Sequence, residues 1–169
     1  IPALAKVNLG VTSPLMVNAM LALSILGIMV GAYVSARKSI NSVKVNNIYT
    51  GSTTITVCAI LVPIVSTLSF IPNSTALIIV STLILIFGVG AGMMLVPLNA
   101  LIQAHSAKDG LGSVLAGKNW IQNMAMIGLL LLTVLLARSN VNSVYILYFN
   151  ALIAVVGFTV VLKRLKAIL

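Results

Sequence analysis

Five stretches of this chain, each about 20 residues long, consist almost entirely of apolar side chains and are separated by short polar breaks. A run of that length is what a helix needs to cross the roughly 30 Å hydrocarbon core of a bilayer. A soluble chain of 169 residues could bury a core, but it could not hide five such runs. Composition agrees, with 60% hydrophobic and 7% charged residues and a mean hydropathy of +1.20. A soluble domain carries about 25% charged residues. The expected fold class is therefore an all-α membrane protein, a polytopic helical bundle of about five transmembrane helices.

Taken in order, residues 1–13 are too polar and too brief to span a membrane and read as an external loop. They open without an initiating Met or a basic leader, which suggests a fragment of a longer chain. The first span is expected over about Pro14 to Ala36, with Arg37 and Lys38 at its exit. Inside it Gly27, Gly31 and Ser35 recur every fourth residue, a pattern that lets another helix backbone approach closely. Ser39 to Asn47 reads as a solvated linker. The second span, about Ile48 to Phe70, contains Pro63, and Ile71 to Ser74 forms a turn. The third, about Thr75 to Gln103, would be roughly 43 Å long at 1.5 Å per residue. It must tilt, kink near Pro97 or project beyond the bilayer. The fourth covers about Ser113 to Ala137 and the fifth about Ser143 to Leu162.

Charge orients these spans. Of the 10 basic residues, Arg37, Lys38, Lys44, Lys108, Lys118, Lys163, Arg164 and Lys166 fall on one side, and Lys6 and Arg138 on the other. Cytoplasmic loops are the ones enriched in Lys and Arg, so the expectation is a cytoplasmic C-terminus and an external N-terminal segment. Tyr33 and Tyr49 near the inner boundary, and Phe70, Tyr145 and Tyr148 near the outer one, suit the aromatic belts of such a protein. The net charge of +9 is scattered at the ends of apolar runs and not gathered on one aromatic-studded face, which argues against nucleic acid as a partner. Asp109 is the only acidic residue and His105 the only histidine, so no acid and base pair or metal-ligand set is in view and no enzyme activity, catalytic residue, metal or cofactor is expected. Cys58 is alone within an apolar run and offers no disulfide.

Amides interrupt the apolar pattern in two neighbouring spans. Gly88, Gly92, Val96, Asn99 and Gln103 fall on one helical stripe, and Asn119, Gln122, Asn123 and Met126 on another one helix later. An amide without a partner in a bilayer costs roughly 2–7 kcal/mol, so these faces should look at protein or at a wet cavity. They either fix helix packing through interhelical hydrogen bonds or line a passage at matched depth. Lys118, at the start of the fourth span, either snorkels to the inner interface or holds a phosphate at the mouth of a cavity.

The segment Gly88-Val-Gly-Ala-Gly-Met-Met-Leu-Val-Pro-Leu-Asn-Ala-Leu-Ile-Gln103, followed by Gly117-Lys-Asn-Trp-Ile-Gln-Asn-Met-Ala-Met126, resembles the bacterial lysophospholipid transporters of the major facilitator superfamily. The run Val96 to Gln103 is its most specific part. More loosely the likeness covers all five spans, which would correspond to helices eight to twelve, most of the C-terminal half. Two positions depart from the family pattern: Gln122 stands where a glutamate is usual, and Ser35 where the cytoplasmic loop motif usually has an acidic residue. The resemblance implies a transporter in the bacterial inner membrane that moves lysophospholipid inward for reacylation. Its partners would be the bilayer, the N-terminal half of the same transporter and an acyltransferase or acyl-acyl-carrier-protein synthetase. Asn99, Gln103, Lys118, Asn119, Gln122 and Asn123 become the candidate substrate-binding residues. The alternatives are a transporter of another small amphipathic solute and a structural membrane subunit that holds partners through Gly27, Gly31, Gly88 and Gly92.

Overall fold

A computed structural model describes residues 13–38, 45–68, 70–106, 110–139 and 141–166. They form five helices: α1 Pro14–Lys38, α2 Val45–Thr67, α3 Asn73–His105, α4 Leu111–Arg138 and α5 Ser143–Lys166. Each is long and apolar enough to cross a membrane, so the chain is an all-α, multi-pass membrane bundle. The basic residues Lys44 and Lys108, the acidic Asp109 and the N-terminal segment with Lys6 lie outside the described residues.

Side-chain contacts give the direction of each helix. Ser35 of α1 meets Asn47 of α2 and the Met93 carbonyl of α3, Tyr49 of α2 meets Phe158 of α5, and Lys118 of α4 meets Asn99 of α3. The ends of α1, α3 and α5 therefore share one end of the bundle with the starts of α2 and α4. Arg37 belongs to this end, its guanidinium carbon 5.8 Å from the centroid of the Tyr33 ring.

The tightest packing is between α1 and α3, and glycine is the reason. A Cβ built on Gly27, Gly31, Gly88 or Gly92 would collide with a backbone carbonyl of the facing helix: that of Leu85, Val89, Ser24 or Ile28 respectively. Only residues without side chains let two helices run backbone against backbone in this way. On another face of α3, Gly90 does the same toward Gly51 of α2, where a Cβ on Gly51 would lie 2.6 Å from the Gly90 oxygen. Away from this crossing, Met20, Ala76, Val80 and Ile84 form a buried cluster, with Val62, Val65 and Leu147 against it. Thus α3 is the central helix, held by α1 on one face and α2 on another, and α5 closes on α2.

Polar residues in α2 are accommodated mostly within the helix. Thr53 donates to the Tyr49 carbonyl at 2.8 Å, Thr54 to Thr50 at 2.8 Å and Thr56 to Ser52 at 2.9 Å. A hydroxyl bonded to its own preceding turn needs no partner from another helix. Asn47 is different and corrects an expectation. The sequence assigns it to a solvated linker, whereas it is a first-turn residue of α2, only 6% exposed. Its Nδ2 donates to the Ser35 hydroxyl at 3.2 Å, and that partner, from another helix, is what allows the amide to be buried.

α4 contrasts with the rest: none of its described residues is buried. It touches α5 only sparsely and meets α3 at Lys118, and most of its side chains, Trp120 to Leu132 included, are exposed.

Candidate functional site

The first candidate contact joins the two amide-bearing helices. Lys118 is in the second turn of α4, and its ammonium donates to the Asn99 Oδ1 at 2.8 Å. Both side chains are half-buried. The bond exists because Asn99 is near the end of α3 and Lys118 near the start of α4, so the hairpin brings them to one depth. An ammonium carries three donors, and this bond uses one. The remaining N–H groups, with the Asn99 amide N–H2, make a cationic donor cluster suited to a phosphate or carboxylate oxygen. The sequence offered two fates for Lys118, snorkelling or holding an anion; in the fold it is tethered to an amide across the hairpin.

The other candidates do not join this pair. Gln103, Asn119, Gln122 and Asn123 are exposed, and among the described residues their side chains form no hydrogen bond with another group. At about 100° per residue, Asn119, Gln122, Asn123 and Met126 occupy a face centred about 90° around α4 from Lys118. The two stripes are thus linked at one layer and do not form a continuous polar seam. Depth also differs from the expectation. Because α4 runs from Leu111 to Arg138, Gln122 and Asn123 lie within about 4 Å, along the axis, of its midpoint. Only Lys118 and Asn119 belong to its basic end. Amides at mid-helix in a membrane span cannot reach the headgroups. Against acyl chains each would cost roughly 2–7 kcal/mol, so this face is chemically suited to protein or water.

Elsewhere, a cavity of about 230 Å³ lies among α1, α2, α3 and α5, lined mainly by apolar groups such as Val62, Ile84, Phe87 and Leu147. Asn150 and the buried Cys58 also line it. Sequence reading did not single out Asn150, since one amide in an apolar run forms no stripe. His105 bonds back to the Leu101 carbonyl through Nδ1 at 3.0 Å and is exposed at the end of α3. Among the described residues no group of three or more His, Cys, Asp or Glu side chains could hold a metal ion.

The four glycines that could have served an outside partner are occupied inside the chain. Gly27 and Gly31 face Gly88 and Gly92 across the α1–α3 crossing. No protein-family model, curated protein or solved structure matches the chain.

Proposed function

We propose that this chain is the C-terminal helical part of a facilitator-type transporter that moves lysophospholipid across the bacterial inner membrane for reacylation. The observation that carries the reading is the Lys118–Asn99 bond beside an uncovered amide face at the middle of α4. A lysophospholipid has one acyl chain, a glycerol with a free hydroxyl and a phosphate. The ammonium of Lys118 suits the phosphate, the amides of Asn119, Gln122 and Asn123 suit the glycerol oxygens, and the exposed Met, Leu and Ile side chains of α4 suit the acyl chain. The basic end of the bundle is then cytoplasmic by the positive-inside rule.

In such transporters the path lies between two helical halves that rock against each other. The amide face of α4 would be completed by the N-terminal half. A structural subunit is a weaker reading because its four anchoring glycines are spent within the chain. Transport of another amphipathic anion is chemically close, and competition separates the two. The test is uptake of labelled lysophospholipid into proteoliposomes by the full-length transporter, with other amphipathic anions as competitors. Saturable uptake that Lys118→Ala weakens supports the reading. Absence of uptake by the full-length protein, or saturable uptake by residues 1–169 alone, contradicts it. Orientation is tested by cysteine labelling in a Cys58→Ala background: Asn73→Cys and Asn142→Cys react from outside and His105→Cys does not.

A further inference from the structure

Pro97 lies inside α3 and is fully buried. Having no N–H, it leaves the Met93 carbonyl without its usual donor four residues on. That carbonyl is not left orphaned. The Ser35 hydroxyl, from α1, donates to it at 3.2 Å, and the Asn47 Nδ2, from α2, donates to Ser35 at 3.2 Å. Ser35 is 0% exposed and Asn47 6%. α1 therefore completes the backbone of α3 at its one interior interruption, and α2 supports the residue that does so.

This interruption also divides α3 by burial. Up to Pro97 the helix is clamped, with Ala76, Val80, Ile84, Gly88, Gly90, Gly92 and Pro97 itself buried; beyond it no residue is. The free end is short, from Leu98 to His105, and carries Asn99, which holds Lys118. The direction in which that end leaves the clamped part thus decides where Asn99 stands relative to α4. A proline-interrupted helix is the usual place for such a bend, because the turn around the missing bond is soft.

We infer that Ser35 and Asn47 are positioning residues: Ser35 bonds the Met93 carbonyl that Pro97 frees, Asn47 holds Ser35 in place for it, and together they fix the angle of the last turns of α3 and so hold Asn99 against Lys118. The assignment concerns this chain's own geometry and does not depend on which solute the protein carries. It makes a specific demand. Restoring the missing N–H should make the Ser35 hydroxyl dispensable.

The experiment uses spin labels at Gln103→Cys and Asn119→Cys, both exposed, in the Cys58→Ala chain in lipid nanodiscs, with the distance distribution read by pulsed resonance. A second pair, Ile25→Cys and Ile78→Cys, reports on the clamped part of α1 and α3. Ser35→Ala should broaden or shift the first distribution and leave the second unchanged, and Asn47→Ala should do the same to a smaller extent. In a Pro97→Ala background, where the restored backbone N–H can bond the Met93 carbonyl, Ser35→Ala should cause no further change. The inference is overturned if Ser35→Ala leaves the first pair unmoved, if it loosens both pairs alike, or if its effect is as large in the Pro97→Ala background as with proline in place. Because no solute is present, loss of lysophospholipid transport in the separate uptake test would leave this result standing, and the reverse holds as well.

Discussion

α1 and α4 are both apolar helices of membrane-crossing length, yet one is locked into the bundle and the other barely touches it. α1 presents Gly27 and Gly31 to α3 so closely that a methyl group would strike backbone. α4 has glycines too, Gly112, Gly117 and Gly128, and nothing lies within 4 Å of where their Cβ would be. Apolar character alone therefore does not decide packing within a membrane, because lipid tails are as apolar as leucine. Shape decides it. Where small residues line up on two helices, backbones meet; where amides line up instead, as on α4, the helix presents a surface that neither lipid nor the other four helices satisfies.

The glycines offer the strongest way to break this contrast. Gly92→Ala should force α1 and α3 apart at Ile28 and lose about 1–3 kcal/mol, the usual cost of overfilling a packed site. The same change at Gly128 meets open space and should be neutral or gain about 0.5–1 kcal/mol, because alanine is the better helix former. Melting of the two variants in detergent reads both effects, and equal losses would erase the distinction between the helices.

A smaller effect is expected where the two regions touch. Lys118→Ala removes the donor to Asn99 and should cost about 1 kcal/mol, since the pair is half-buried and water can replace part of the bond. Detergent melting measures it, and Asn99→Ala combined with Lys118→Ala should cost little more than either alone. Additive losses would show that the two side chains act separately.

The smallest stability effect belongs to the exposed amides. Gln122→Ala and Asn123→Ala should change melting by less than about 0.5 kcal/mol, as surface substitutions without partners do. Under the proposed function, the same variants in the full-length protein should lower lysophospholipid uptake per folded molecule. Lost stability with normal uptake would make these residues helix glue and remove them from the candidate site.

Much of the architecture is legible in the residues themselves. Hydrocarbon leaves a spanning chain few options, so apolar length places the helices, and the polar breaks place the turns. Asn99 and Lys118 are identifiable as polar interruptions because a bilayer makes each one costly. Other features are invisible in one dimension. Asn47 looks like a linker residue until Ser35 is brought beside it, and Ser35 looks like one more small residue in a glycine repeat. Gln122 and Asn123 look matched in depth to Asn99 until the helix bounds are known, and then they lie near the middle of α4, on a face apart from Lys118.

Periodicity and composition determined, from the sequence alone, that the chain is helical, that it crosses a membrane several times, and which side chains are out of place in lipid. Those conclusions rest on local quantities: rise per residue, transfer free energy and the spacing of like residues on one helix. Only the tertiary structure decided which helix meets which. It set Gly27 and Gly31 against Gly88 and Gly92, gave the Met93 carbonyl its donor from Ser35, and paired Asn99 with Lys118. It also left the amide face of α4 uncovered. The physical reason is that a hydrogen bond or a backbone contact needs two partners at about 3 Å, and partners 58 residues apart, as Ser35 and Met93 are, come that close only through the packing of whole helices.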